Sequence, residues 1–192
     1  AKPNFLGYGG FPATICTSVN EVVVHGIPSE DVVLKDGDIL SIDCGAIVDG
    51  WHGDAAFSAV VGDADPSVAE LLKVTESALW RGIAKACAGG RLSDIGHAVE
   101  AHVRTSGDYG IGEEYVGHGI GTSMHMEPSV PNYGQPGHGP KLEVGMALAI
   151  SIPFRMGIIN LGAEGQMVLG GLAATIVAIH LPGPAPFVIV GA

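Results

Sequence analysis

Residues 39–61 read Ile39-Leu-Ser-Ile-Asp43-Cys-Gly-Ala-Ile-Val48-Asp49-Gly50-Trp51-His-Gly-Asp54-Ala-Ala-Phe-Ser-Ala-Val-Val61. Two long arms flank one Asp-Gly pair, and this limits the fold more than any other stretch. A type I′ turn needs positive φ at both central positions, so Asp49-Gly50 predicts a two-residue hairpin. A turn centred there sets Val48 against Trp51, Gly45 against Asp54 and Asp43 against Ala56. Side chains alternate along a strand, so Asp54 and Ala56 share a face. Asp43 and Asp54 then become diagonal neighbours, roughly 7–8 Å apart at the backbone and closer at the carboxylates. Two carboxylates on a half-buried sheet repel each other and resist desolvation. A bound cation answers both objections; the plainer alternative is a solvated face carrying two unrelated acids.

The charge balance narrows the function. The chain has 192 residues, enough for one domain with a proper core, and a net charge of −11. Such a charge argues against a nucleic-acid surface. Eight histidines on an acidic chain suit cation binding better. Cys16, Cys44 and Cys87 are few, odd in number and without a CxxC pair, which points to a reducing compartment. The opening Ala1-Lys-Pro-Asn-Phe-Leu-Gly-Tyr8 reads as neither a signal nor a transit peptide, but as the middle of a domain.

Composition breaks near residue 150. The segment 151–192 carries one cation and one acid, Arg155 and Glu164. Met167–Leu181 is uncharged and mostly apolar, shorter than the about 20 residues a spanning helix needs.

Between hairpin and break, Glu21–His25 reads as a short β-branched strand. Pro66 to Ala88 reads as a helix with Pro66 in its first turn. Leu71, Leu72, Thr75, Leu79 and Ile83 form its apolar stripe, and Gly89-Gly90 ends it. Ser93 is the expected N-cap of a second helix running to about Thr105. Tyr115–His125 is Gly-rich and strand- or loop-like, and 132–140 is a loop. Uneven alternation of strands and helices suggests an α+β fold.

Three histidines stand in tight Gly/Pro settings. His118 lies within Gly117-His-Gly-Ile-Gly121, His125 precedes Glu127-Pro128, and His25 closes Val22-Val-Val-His25-Gly-Ile-Pro28. A lone histidine at a strand end is more often structural than a ligand; three together with the Asp pair favour a site. Carboxylates with imidazole suit Mn, Fe, Co or Zn. Carboxylates able to bridge suggest two ions about 3.5–4 Å apart with a water clamped between them.

Residues 5–150 resemble the bacterial type I methionine aminopeptidases. The resemblance rests on Phe5-Leu-Gly-Tyr-Gly-Gly-Phe-Pro12, Ile15–Pro28, Asp36–Asp43, Asp49-Gly-Trp-His-Gly-Asp54 and Gly117–Gly121, in that family's order and spacing. It implies the α+β pita-bread (creatinase/aminopeptidase) fold, here truncated at the N-terminus and lacking the usual C-terminal strands. It also implies removal of N-terminal methionine from nascent proteins. A cytoplasmic monomer acting on peptide N-termini is expected, with two divalent ions (Co, Mn, Fe or Zn) and no nucleic acid.

By position, the resemblance makes Asp43, Asp54 and His118 metal ligands, with Asp54 bridging. His25 and His125 become the catalytic, substrate-contacting histidines. Tyr8, Phe11, Cys16 and Met124 line the pocket for the methionine side chain; ordinary core packing is their alternative. Two glutamate ligands of the family are missing: Ser151 stands in place of the first, and Ala173 is the nearest match to the second. Weak metal binding and impaired turnover are therefore expected.

Residues 152–170 resemble instead a segment of the inner-membrane permeases of ABC importers, with Asn160-Leu-Gly-Ala-Glu164-Gly-Gln166 ahead of an apolar run. On this reading the chain divides into an incomplete aminopeptidase-like domain, 1–150, and an apolar tail, 151–192. Any membrane contact would come through that tail. A diverged aminopeptidase C-terminus is the rival account. Two further functions stay open beside the metalloaminopeptidase: a non-catalytic peptide-binding module of the same fold, and a fragment of a membrane transporter.

Overall fold

The computed structural model describes residues 1–143, 150–151, 155–156 and 159–160. The central element is the hairpin, with β3 at Ile39–Val48 and β4 at Trp51–Val60. Its register is the expected one: Val48 faces Trp51, Gly45 faces Asp54 and Asp43 faces Ala56. Asp49 and Gly50 both take positive φ (51° and 85°), as a type I′ turn requires. The other edge of β3 is covered end to end by β1 (Lys2–Pro3) and β2 (Ile15–Val19), both antiparallel.

One face of this sheet grades from apolar to charged. Buried Ile39 lies against Leu71 of the first helix. Next come Ser41 and Ser58, register partners whose hydroxyls are 2.7 Å apart. Then come Asp43 beside Ala56, and Asp54 beside Gly45. Alternation thus puts the apolar end of the hairpin under the helices and the acidic end at the site.

Helix α1 is Pro66–Lys85 and α2 is Leu92–Ser106. Asp65 caps α1 by accepting from the Ser67 N–H (2.8 Å), and Pro66 occupies the first turn, where its missing N–H costs nothing. The helices bury Ala78, Leu79, Ile95, Val99 and Val103 between them, together with Val130 and Leu142. Gly96 lets α2 approach the chain at 131–133: an added Cβ would lie 2.4 Å from the Pro131 carbonyl oxygen. A second sheet follows, with β5 (Gly117–Gly119) between β6 (Met126–Val130) and β7 (Ile150–Ser151). Two short strands, β8 (Arg155–Met156) and β9 (Ile159–Asn160), pair with each other.

Three local expectations need correction. Glu21–His25 is not a strand. Asn20 takes a positive φ and accepts from the Ile39 N–H, so the chain turns away from the sheet. Val24 and His25 then also adopt positive φ, 54° each. The β-branched preference yields to this run of positive φ, which a strand cannot accommodate. The second helix starts one residue before Ser93, at Leu92. Arg91 occupies the cap position, and its N–H donates to the Asp94 carboxylate (2.8 Å). The first helix stops at Lys85, three residues short of Ala88, where Ala86 leaves helical geometry and its N–H donates to the Ile83 carbonyl. The apolar run Met167–Leu181 and Ala173 lie outside the described residues.

Candidate metal centre and peptide pocket

Asp43 and Asp54 reach one cavity from adjacent strands. Asp43 is 9% exposed and the Asp54 side chain 10%. Across from them, β5 brings His118, whose Nε2 lies 3.9 Å from Oδ2 of Asp54. His118 sits on a tightly pinched strand, because an added Cβ on Gly119 would come within 2.4 Å of the Glu127 carbonyl oxygen. Glycine is what allows β5 and β6 to approach so closely at their register shift. The His52 N–H donates to the Gly121 carbonyl (2.7 Å) and ties the hairpin to the chain after β5. The two sheets therefore meet at the acids.

His25 arrives by the turn that displaced the expected strand. Gly26 lies against β2, its carbonyl accepting from the Thr17 N–H (2.9 Å) and its N–H donating to Ser18 Oγ (3.2 Å). An added Cβ there would sit 2.1 Å from the Thr17 carbonyl oxygen, so only glycine fits. A positive φ at a β-branched residue such as Val24 costs about 1–3 kcal/mol. That strain lies one residue before His25, at the cavity wall.

The cavity holds about 880 Å³ and is lined by all nine predicted site residues: Tyr8, Phe11, Cys16, His25, Asp43, Asp54, His118, Met124 and His125. Phe5, Cys16 and Met124 pack as one buried apolar cluster with Phe11 against it. Cys16 is also the register partner of Asp43, so the apolar wall adjoins the acidic one. Histidines 118 and 125 stack edge to face with centroids 4.4 Å apart, and Tyr8 Oη lies 2.8 Å from His125 Nδ1. Phe5, Glu114, Tyr115, Met126 and Glu127 line the cavity too and were not singled out from the sequence. Glu114 and Tyr115 lie just upstream of the glycine-flanked His118, separated from it by Val116 and Gly117, and that proximity was the available signal.

The acids are felt outside the cavity as well. Cys44 lies between them in sequence and register. Partial burial pushes its thiol above the ordinary range, and the negative charges of Asp43 and Asp54 push it further.

The donors at this site, two carboxylates and an imidazole, suit a divalent ion of the Mn–Zn series in kind. They are not drawn together as a formed site: among the described residues no three His, Cys, Asp or Glu side chains gather into an ion-sized cluster. Ser151, where the resemblance asks for glutamate, is the register partner of His118 across β5 and β7.

Comparison with known proteins agrees with this geometry. The model of metallopeptidase family M24 matches residues 2–174. A methionine aminopeptidase of Clostridium acetobutylicum is 55% identical over 150 residues, covering 78% of this chain and 60% of the relative. Methionine aminopeptidase 1 of Mycobacterium tuberculosis is 50% identical over 162 residues, covering 82% of this chain and 61% of the relative. The solved methionine aminopeptidase of Thermotoga maritima superposes with a TM-score of 0.73 at 41% identity, over 81% of this chain and 60% of that one. The chain thus spans about three fifths of the length of the relatives it matches. Neither the family match, which runs past residue 150, nor these relatives support the permease resemblance of the tail. No helix among the described residues is long and apolar enough to cross a membrane. With an α+β pita-bread architecture, a matched family model over most of its length and aminopeptidase relatives at half identity, the chain belongs to metallopeptidase family M24.

Proposed function

We propose that this chain carries the S1 pocket and half of the metal site of a methionine aminopeptidase acting on N-termini of nascent proteins, with turnover impaired. The observation that carries the reading is one cavity bounded on one side by Phe5, Phe11, Cys16 and Met124, and on the other by Asp43, Asp54 and His118. An apolar recess of this kind takes an unbranched thioether, and the adjoining acids attract the peptide's α-ammonium or a cation.

Family membership implies divalent metal. Asp43, Asp54 and His118 are the residues that would hold it, and when bound it would supply an activated water and polarise the first peptide carbonyl. His25 and His125 orient that carbonyl by hydrogen bonds and steady the charge that develops on its oxygen. Ser151 offers no carboxylate to complete the ligand set or take the proton, and this supports weak metal affinity and slow turnover.

We place the functional unit at 1–150, with the tail 151–192 apart from it. The drop to one cation and one acid beyond residue 150 supports that boundary. The absence of a CxxC pair supports a cytoplasmic setting.

Release of methionine from Met-Ala-Ser, with Mn or Co added and followed by mass spectrometry, tests the activity. Slow, metal-dependent release is expected. Saturable peptide binding without release would instead favour the non-catalytic binding module, and stoichiometric binding of two ions at micromolar concentration would contradict the weakened site.

A further inference from the structure

Tyr8 lines the apolar pocket, yet its hydroxyl meets a ring nitrogen rather than apolar neighbours. Its oxygen lies 2.8 Å from Nδ1 of His125, with the two rings tilted at 48° and 5.5 Å apart. We infer that Tyr8 is the positioning residue of His125: its O–H donates to Nδ1 and fixes the imidazole in the tautomer that carries its proton on Nε2.

The direction of the bond follows from the partners. A phenol is a good donor and a weaker acceptor, because its oxygen lone pair is drawn into the ring. The unprotonated nitrogen of a neutral imidazole is the strongest acceptor available to it. Whichever ring nitrogen accepts, the other bears the proton. Donation from Tyr8 therefore makes Nε2–H the ring's donor. That is the tautomer a substrate carbonyl needs, since the opposite one would present a lone pair to an electron-rich oxygen.

The phenol is well placed to hold this geometry although Tyr8 itself is 50% exposed. Its backbone lies in a closed turn: the Gly7 N–H donates to the Phe11 carbonyl (2.8 Å), Tyr8 N–H to Phe5 (2.9 Å) and Phe11 N–H to Tyr8 (2.9 Å). Gly7, Gly9 and Gly10 supply the positive φ that this turn demands. Phe5 and Phe11, edge to face at 6.5 Å, anchor the turn on Cys16 and Met124. The hydroxyl thus links the N-terminal turn to the segment between β5 and β6. His125 in turn lies edge-on to His118, 4.4 Å away, so its plane bears on the candidate metal ligand.

The catalytic consequence rests on the aminopeptidase reading; the tautomer does not. Long-range 1H–15N correlation of the imidazole nitrogens, on the full chain at pH 8 and thus above the ordinary imidazole pKa of about 6.5, reads the tautomer directly. His125 is expected in the Nε2–H form, and Tyr8→Phe, which keeps the ring and removes the hydroxyl, is expected to show a mixture of both. With Met-Ala-Ser and Mn, Tyr8→Phe is expected to lower kcat about tenfold with little change in KM. Tyr8→Leu, which also removes the wall, raises KM as well. An Nδ1–H tautomer in the parent chain would overturn the proposal, as would an unchanged tautomer ratio in Tyr8→Phe. If the parent releases no methionine, the aminopeptidase reading fails while the nitrogen spectra still decide the role of Tyr8.

Discussion

Position 151 shows how one residue changes what a site can do. Its register partner across β5 and β7 is His118, whose imidazole lies 3.9 Å from Asp54. A serine hydroxyl is neutral and a poor ligand for an ion that two carboxylates attract. Ser151→Glu is expected to tighten Mn binding at least about tenfold, measured by calorimetry on the metal-free protein, and to speed methionine release in parallel. Unchanged affinity would mean that the carboxylate does not reach the ion. The two aspartates were legible in the sequence because they sit on strands whose register a local turn fixes. His118 stood out by its flanking glycines, but its pairing with Asp54 came only from the family resemblance, since it lies in another sheet and no spacing rule links residue 54 to residue 118.

The same contrast between local and distant causes runs through the elements. Asp49-Gly50 specifies its hairpin, because the turn and both arms are contiguous in sequence. The run Glu21–His25 has strand propensity but follows the turn at Asn20 into positive φ, and the glycine after it docks on β2 through backbone atoms. Helix α2 was legible as a helix, but its close approach to 131–133 was not. There Gly96 faces two carbonyl oxygens at 2.4 and 2.5 Å from a would-be Cβ, both backbone and unable to swing aside. Gly96→Ala removes glycine's helix penalty yet is expected to destabilise the protein by about 1–3 kcal/mol through this overpacking. Urea denaturation without metal measures it. A gain in stability would show that α2 does not sit as close as described.

Across the molecule, carboxylates fasten one element to another. Asp65 caps α1, and its pKa lies below the ordinary 3.8 because Ser67 donates to it. Asp94 joins the start of α2 to the 137 loop, lowered by the N–H groups of Arg91 and Gly137. Glu100 holds the Gly134 N–H and pairs with Arg104, and is likewise lowered from 4.5. Each group is more acidic folded than unfolded, so its contribution is complete above the unfolded pKa, near 4, and is lost as pH falls through the lower folded value. The thermal midpoint is therefore expected to hold from neutral pH to about 5 and to fall steadily below about 4. Asp94→Asn should lower the neutral-pH midpoint and flatten that acid limb. An acid limb as steep as the parent's would rule Asp94 out as one of the groups responsible.

What could be read from order alone was whatever depends on near neighbours: the hairpin and its register, two helices and the first turn of α1, an acid pair on one face, and membership of a metallopeptidase-like family. Folding alone brought His25, His118 and His125 around those acids, set Tyr8 against His125, and put Ser151 opposite His118. The physical reason is range. Turn geometry and side-chain alternation act within a few residues, whereas the cavity walls beside His25 and His118 are set by close backbone packing at Gly26 and Gly119, between segments that no local preference connects.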